Sequence, residues 1–362
     1  MGSPSETGNV LLIWARIGDY HAARFLASEK ILLPNSLYIS DLGTSDGVYK
    51  WKNPLSDHPN YHPLSQKPVE EPDVRARFLQ FRKLANSLNI KVVGLAGYGR
   101  PEYNLILIWC RWKGIRVVLF AESWYGDNRL FNFLKGRYLA RMCSALLVSG
   151  KKAKHHFQQK LGLGKTPIRI GYSVVDNKHF VKAHMQKSQN ILLCVARFSP
   201  EKNLVELTKA FRSANIKEEW SLVLVGGGPL KTELEKEAAL DPRVVVSDWL
   251  PYEELPNLYS NASFFILPSI FEPWGLVVNE AMSAGLPVAV SIQCGCEPDL
   301  VNSFNGFSFD ANNPASIRNT IEKITETSAG QRENMGRASQ DLISIFSPES
   351  WAANFKELAM AT

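Results

Sequence analysis

Cysteine is scarce, long apolar runs are missing, and two familiar ligand fingerprints do not occur. The five cysteines, Cys110, Cys143, Cys194, Cys294 and Cys296, are scattered and odd in number. They exclude a disulfide scaffold and imply a reducing compartment. Cys294-Gly295-Cys296 has neither CxxC spacing nor partners at metal-site spacing, so no metal site is expected there. His155 and His156 are adjacent and do not face one another on a helix, which rejects a second zinc reading. No run approaches the ~20 apolar residues that a membrane-spanning helix needs. The opening MGSPSETGN has no basic stretch leading into an apolar one, so it does not read as a secretory signal. The expectation is a cytoplasmic protein. The first apolar run is not followed by G-x-G-x-x-G, and no Asp-x-Asp occurs anywhere in the chain. No nucleic-acid-reading module with interleaved aromatics accompanies the basic residues, so a nucleic-acid partner is not expected.

What is present is an ordinary globular composition, 45% apolar, over 362 residues. That length suggests two domains. The net charge of +6 hides an asymmetry. Residues 1–180 hold 26 Lys and Arg against 13 Asp and Glu, whereas residues 181–362 hold 15 against 22. A sign change of that size supports a boundary near residue 180. The basic half is suited to anionic lipid headgroups, to a phosphorylated acceptor, or simply to a solvated surface.

Residues 262–290, ASFFILPSIFEPWGLVVNEAMSAGLPVAV, organise the second half. Phe264 to Leu267 reads as a short buried strand ended by Pro268. The loop SIFEP carries Glu272. Gly275 opens a helix that includes Leu276, Glu280 and Met282, and Pro287 begins another β-branched strand. Strand, loop, helix and strand make one turn of a parallel α/β domain, whose ligands bind at strand carboxyl ends. Carboxylates there accept hydrogen bonds from sugar or ribose hydroxyls. Backbone N–H groups of Trp274, Gly275 and Leu276 at the helix start are suited to phosphate.

E-P-W-G-L-V-V-N-E-A-M-S-A-G-L-P-V-A resembles the signature of the retaining glycosyltransferases of family 4. The resemblance implies an α/β architecture of the GT-B type: two Rossmann-like domains facing each other across a cleft. It extends through the second half. After the strand Ile191 to Ala196 comes Arg197-Phe198-Ser199-Pro200-Glu201-Lys202-Asn203, similar to the family's loop that holds the donor diphosphate with an Arg and a Lys. Independently, a planar guanidinium and a compact ammonium suit a diphosphate leaving group. Gly226-Gly227-Gly228-Pro229 resembles the family's G-x-G-P step, with Gly227 near the nucleotide. Trp249 and Leu250 stand where relatives' backbone meets the base. SIQCGCEPDL resembles an abbreviated form of the family's S-x-x-G-G-x-x-E/D loop, with Gly295 and Cys296 in place of the glycine pair.

The first half carries the resemblance loosely. Asn9 to Trp14 reads as a buried strand that runs into Gly18, His21 and a helix. Residues 41–73 are proline-rich and long for a structureless connection. They read as an acceptor-selecting loop, with Tyr49, Trp51, His58, Tyr61 and His62 as candidate contacts, or as a surface excursion with packed aromatics. The strand Val117 to Phe120 delivers Glu122 and Ser123 where relatives often present a histidine. Glu122 is suited to orienting a donor hydroxyl or activating an acceptor, or it is structural. His21 is the nearest histidine candidate. Leu130 to Cys143, with Lys135, Arg137 and Arg141, and the following KKAKHHFQQKLGL read either as interfacial helices or as helices packed on their own domain.

The expected organisation is an N-terminal acceptor domain over residues 1–178, a nucleotide-sugar domain over 179–345, and a terminal helix in 346–362. The resemblance implies that this helix packs back on the first domain. It also implies retaining transfer of a sugar from a nucleotide-diphosphate sugar, UDP-sugar favoured and GDP-sugar the next choice. The acceptor is a hydroxyl of a saccharide, a lipid-linked saccharide or a small molecule. In this reading Arg197 and Lys202 hold diphosphate, Glu280 the ribose, and Glu272 the sugar. Glu122 and His21 are the first-domain catalytic candidates. No cofactor is expected, and the Arg–Lys pair with no Asp-x-Asp implies catalysis without a bound metal. Peripheral contact of the basic half with an anionic membrane is kept as an option. The alternatives are a noncatalytic nucleotide-sugar-binding or scaffold subunit and, more remotely, a glycogen-phosphorylase-like or trehalose-type transfer, for which no pyridoxal-phosphate element is evident.

Overall fold

Twelve strands form two separate six-stranded parallel sheets among the residues described by the computed structural model, which are 8–32, 36–43, 53–126, 128–181, 190–216 and 219–360. The chain divides into two units. The first comprises Met1–Val174 and Pro348–Thr362, and the second Val175–Ser347.

In the first unit the order of elements is β1 (Asn9–Trp14), α1 (Asp19–Glu29), β2 (Leu37–Asp41), α2 (Val74–Ser87), β3 (Ile90–Ala96), α3 (Pro101–Lys113), β4 (Arg116–Ala121), α4 (Arg129–Met142), β5 (Ala145–Val148), α5 (Lys151–His155) and β6 (Ile168–Ile170). The sheet runs β2-β1-β3-β4-β5-β6. Its four central strands, β1, β3, β4 and β5, are rich in Val, Ile and Leu, as strands covered on both faces must be, and Leu11, Ile13, Val93, Leu95 and Leu119 are fully buried. Gly94 in β3 shapes the core: a Cβ there would stand 2.6 Å from both Leu12 and Phe120. Its bare backbone lets the Trp14 and Phe120 rings stack over β3, 5.6 Å apart.

The proline-rich excursion is partly built into this unit. Tyr61 forms a parallel bridge to Ile39, and the Leu64 amide donates to the Asp41 carbonyl. Its candidate contact residues are engaged in packing. The Tyr61 hydroxyl donates to Asp41, His58 packs edge-on to Phe25, and His62 lies against Tyr38. Tyr49 and Trp51 lie outside the described residues. Burial pushes the Asp41 carboxyl up to about 7, with Tyr61 pulling the other way.

In the second unit follow α6 (Asn177–Phe180), β7 (Asn190–Val195), α7 (Leu204–Ser213), β8 (Trp220–Val225), α8 (Lys231–Ala238), β9 (Val244–Ser247), α9 (Leu255–Asn261), β10 (Phe264–Leu267), α10 (Leu276–Ser283), β11 (Val288–Ser291), α11 (Glu297–Leu300), β12 (Gly306–Phe309), α12 (Pro314–Glu326) and α13 (Ala329–Ile343). The sheet order is β12-β11-β10-β7-β8-β9. Chain direction of assembly therefore reverses between β7 and β10, which makes that pair the switch point of a doubly wound sheet.

The last helix, α14 (Pro348–Met360), belongs to the first unit. Trp351 and Phe355, four residues apart, stack at 5.3 Å on one helix face. Trp351 meets Phe120 at 5.4 Å and Trp14 at 6.2 Å. Asn354 donates to the Ile170 carbonyl and Lys356 to that of Ile31.

Candidate functional site

The switch point of the second unit is where the sequence candidates gather. The loop after β7 carries Arg197 and Lys202, and the loop after β10 carries Glu272. A Lys202–Glu272 ion pair spans the two loops, with side chains only 16% and 12% exposed. The backbone holds the same loops together, since the Ile270 amide donates to the Glu201 carbonyl at 3.0 Å. Two residues predicted to touch different parts of a donor therefore touch each other here.

Arg197 is half exposed and donates through Nη2 to Glu201 Oε1 at 2.9 Å. The Ser199 hydroxyl donates to the same oxygen at 2.6 Å. Burial raises the Glu201 carboxyl, but Ser199 and Arg197 outweigh it and hold it at about 2. Asn203 adopts a left-handed φ of 59°, which Asn tolerates better than most side chains. Its amide donates to the Ala311 carbonyl at 3.0 Å, fixing the end of the loop.

Close approach explains the glycines after β8. A Cβ on Gly226 would overlap the Ala196 carbonyl, and one on Gly228 would stand 2.6 Å from that of Phe198. Both have positive φ, 154° and 151°. The Phe198 amide donates to the Gly227 carbonyl at 2.8 Å. Gly227 itself has open space around its Cα, which suits it to a ligand's approach. Trp249 is exposed and Leu250 partly so, both just beyond β9.

Around Glu272 the loop is braced from the next one. The Gly295 amide donates to the Glu272 carbonyl and the Cys296 amide to that of Trp274. Gly275, with φ 107°, precedes α10, so Leu276 supplies one of the helix's leading N–H groups. Trp274 is fully buried, and its indole N–H donates to Asn279 at 2.9 Å. Its side chain anchors the loop. Glu280 is 1% exposed, and its Oε2 accepts from the Tyr259 hydroxyl at 2.6 Å.

The first-unit candidates lie beyond other strands. Glu122 follows β4 and accepts from the Ser173 hydroxyl at 2.5 Å, while Ser123 is hydrogen-bonded to Tyr98. His21 sits in the first turn of α1 against Trp14, 5.1 Å between rings. The Gly18 amide donates to His21 Nδ1 at 3.2 Å. An amide can only donate, so Nδ1 is the acceptor. Burial, with Arg24 and Arg16 adding, pulls the imidazole well below its ordinary value. The ring is therefore neutral at pH 7 with its proton on Nε2, a hydrogen-bond donor and not a base at that atom.

The sequence reading missed several partners. Glu201 lies four residues after Arg197 in the same loop and pairs with it. Tyr259, on α9, carries no sign in the sequence of reaching Glu280. Arg24, three residues after His21 on α1, is buried over the Tyr172 ring at 4.7 Å. It donates to the Val174 carbonyl, and sequence offers only the helical spacing as a hint. Among the described residues no three His, Cys, Asp or Glu side chains converge as metal ligands would. No helix among them is long and apolar enough to cross a membrane.

Residues 175–342 match the family model of the glycosyl transferases group 1. An uncharacterized glycosyltransferase of Methanocaldococcus jannaschii is 27% identical over 176 residues, which is 48% of this chain and 44% of that protein. The UDP-Gal:alpha-D-GlcNAc-diphosphoundecaprenol alpha-1,3-galactosyltransferase of Escherichia coli is 28% identical over 149 residues, 39% of this chain and 38% of its own. The chain thus spans less than half the length of these curated relatives. Among solved structures, HepE of Anabaena, in complex with UDP and glucose, superposes with a TM-score of 0.74 at 15% identity, covering 97% of this chain and 98% of that one. That likeness shows the GT-B fold.

Proposed function

We propose that this chain transfers a sugar from a nucleotide-diphosphate donor, a UDP-sugar by preference, to an acceptor hydroxyl with retention at the sugar carbon. The observation that carries the reading is the pair of cations, Arg197 and Lys202, at the β7/β10 switch point with Glu272 and the start of α10 opposite. The match of that unit to the glycosyl transferases group 1 supports it. UDP is favoured because the Anabaena protein was solved with UDP and the Escherichia coli relative is named for UDP-Gal.

Arg197 and Lys202 offset the charge that grows on the diphosphate as its bond to the sugar breaks. The acceptor oxygen bonds to the same carbon from the face the diphosphate leaves, and its proton passes to a leaving phosphate oxygen. Glu272, released from Lys202 as the diphosphate takes that cation, holds sugar hydroxyls, and Glu280 those of the ribose. No residue is asked to act as a covalent nucleophile, so positioning and charge supply the acceleration.

The test is a panel of nucleoside diphosphates and nucleotide sugars read by thermal shift. A ligand bound only by the native state raises its melting temperature. A response to UDP or a UDP-sugar, reduced in Arg197→Ala and Glu280→Gln, is expected, with turnover of that donor in the presence of EDTA. A panel without any response overturns the reading. Binding that never leads to turnover on saccharide or lipid-linked acceptors selects the noncatalytic nucleotide-sugar-binding alternative.

A further inference from the structure

Helix α4 is turned inside out. Its buried face consists of Asn132, Gly136 and Leu139. Asn132 donates to the Gly126 carbonyl at 2.8 Å. Gly136 lies so close to the body of the unit that a Cβ would overlap the Leu161 carbonyl. The large apolar residues point the other way. Leu130, Phe131, Phe133 and Leu134 are 56% to 69% exposed. A surface helix of a water-soluble domain ordinarily shows the opposite distribution.

The neighbouring helix continues the pattern. The Tyr138 hydroxyl of α4 donates to Asn104 of α3 at 2.9 Å. On α3, Ile108 and Trp112 are exposed, Trp112 at 72%. The charge on the two helices has one sign. They carry Arg111, Lys113, Arg129, Lys135, Arg137 and Arg141. Their one acid, Glu102, is buried in an ion pair with Arg77 at 2.8 Å. Several cations lie over the exposed rings: Lys113 over Trp112 at 4.3 Å, Lys135 over Phe131 at 5.3 Å and Arg137 over Phe133 at 5.5 Å. Exposed apolar side chains and positive charge are thus interleaved on these two helices.

We infer that this face of α4, extended by α3, docks on an anionic lipid bilayer. Apolar side chains enter the boundary between headgroups and acyl chains while Lys and Arg meet the headgroup charge, which is the combination that holds interfacial helices. A protein partner would be expected to offer acidic side chains in fixed positions and to bury the patch as a dry interface. Cations spread among exposed apolar side chains on two helices are better matched to a fluid layer of negative headgroups. The inference does not depend on the transfer reading, since it concerns only the first unit's surface.

The experiment is flotation of the full chain with vesicles of phosphatidylcholine alone or with a third of phosphatidylglycerol. Binding to the anionic vesicles only, weakened by salt, is expected. Phe131→Ser with Phe133→Ser lowers the partition coefficient by about tenfold or more. Arg137→Gln with Arg141→Gln lowers it about fivefold per charge. The four positions are exposed, so melting curves and the nucleotide response of the variants stay at the parent values. Absence of flotation with anionic vesicles overturns the inference, as does flotation that the variants leave unchanged. A dimer in solution that the same serine substitutions dissolve, without vesicle binding, assigns the face to a second copy instead and also overturns it.

Discussion

Removing Lys202 tests whether the switch point is organised as described, because the residue has two roles that separate in different assays. Its ammonium is held by Glu272, and both side chains are mostly buried. In Lys202→Met the Glu272 carboxylate loses its cation in a poorly solvated place. Breaking a fully buried pair costs about 3–5 kcal/mol, and exposed pairs are worth under ~1. The residual exposure here sets the expectation at about 1–3 kcal/mol, or roughly 3–10 °C of melting temperature for a unit of this size. Adding Glu272→Gln removes the stranded charge and recovers most of that loss. Donor binding behaves differently. A charge-assisted hydrogen bond contributes about 1.5–3 kcal/mol, so Lys202→Met weakens UDP by roughly 10- to 150-fold, and Glu272→Gln does not rescue it. Glu272→Gln alone frees Lys202 from its competitor and tightens UDP, while the advantage of UDP-sugar over UDP shrinks. Thermal melts and titration calorimetry on the two single variants and the double variant supply both cycles. Stability effects that add within about 0.5 kcal/mol, or a Lys202→Met protein that binds UDP like the parent, refute the reasoning.

His21 and the glycine turn offer independent checks. The His21 imidazole is held below its ordinary 6.5, so the fold favours its neutral form. Its contribution is complete above pH 6.5 and is lost as pH falls from there toward the folded value. His21→Gln, which keeps an acceptor for the Gly18 amide, flattens the melting curve's pH dependence between about pH 7 and 5. An imidazole resonance titrating near 6.5 would contradict this. At the turn, Gly226→Ala forces a Cβ into the Ala196 carbonyl at positive φ and costs about 2–4 kcal/mol, with loss of the nucleotide response because Arg197 is displaced. Gly227→Ala, where nothing lies within 4 Å of the added carbon, changes stability by under ~1 kcal/mol. Equal melting temperatures for the two alanine variants would sink the close-approach argument.

The second unit was legible because its local signals agree. Short β-branched runs, glycines where loops pass within contact distance, and Arg197 and Lys202 after the first strand all point to one parallel sheet. What the residue string concealed was pairing. Nothing in it says that Lys202 and Glu272, seventy positions apart, meet in an ion pair, or that Glu280 accepts a hydrogen bond from Tyr259. Such contacts depend on which strands become neighbours, and only the β7/β10 adjacency brings those loops together. In the first unit the amphipathic character of residues 130–143 was readable, but not which face turns inward. Gly136 against Leu161 decides that, and a glycine carries no such message in sequence. The proline-rich excursion left open both a ligand loop and packed aromatics. Its backbone pairs with the outer edge of β2, where the Ile39 amide donates to the Asn60 carbonyl and the His62 and Leu64 amides donate to those of Ile39 and Asp41, and Tyr61, His58 and His62 meet Asp41, Phe25 and Tyr38.

The placement of α14 bears on the order in which the protein can be completed. Trp351 and Phe355 fill the space beside Trp14 and Phe120, yet the whole second unit precedes them in the chain. During synthesis the first unit emerges first and finishes second. Until α14 arrives its aromatic core stays open to water, whereas residues 175–347 already hold everything their sheet requires. A chaperone meeting the nascent chain would find its longest-lived sticky surface near the beginning, and a premature stop close to residue 350 would release a protein whose early half is the defective one.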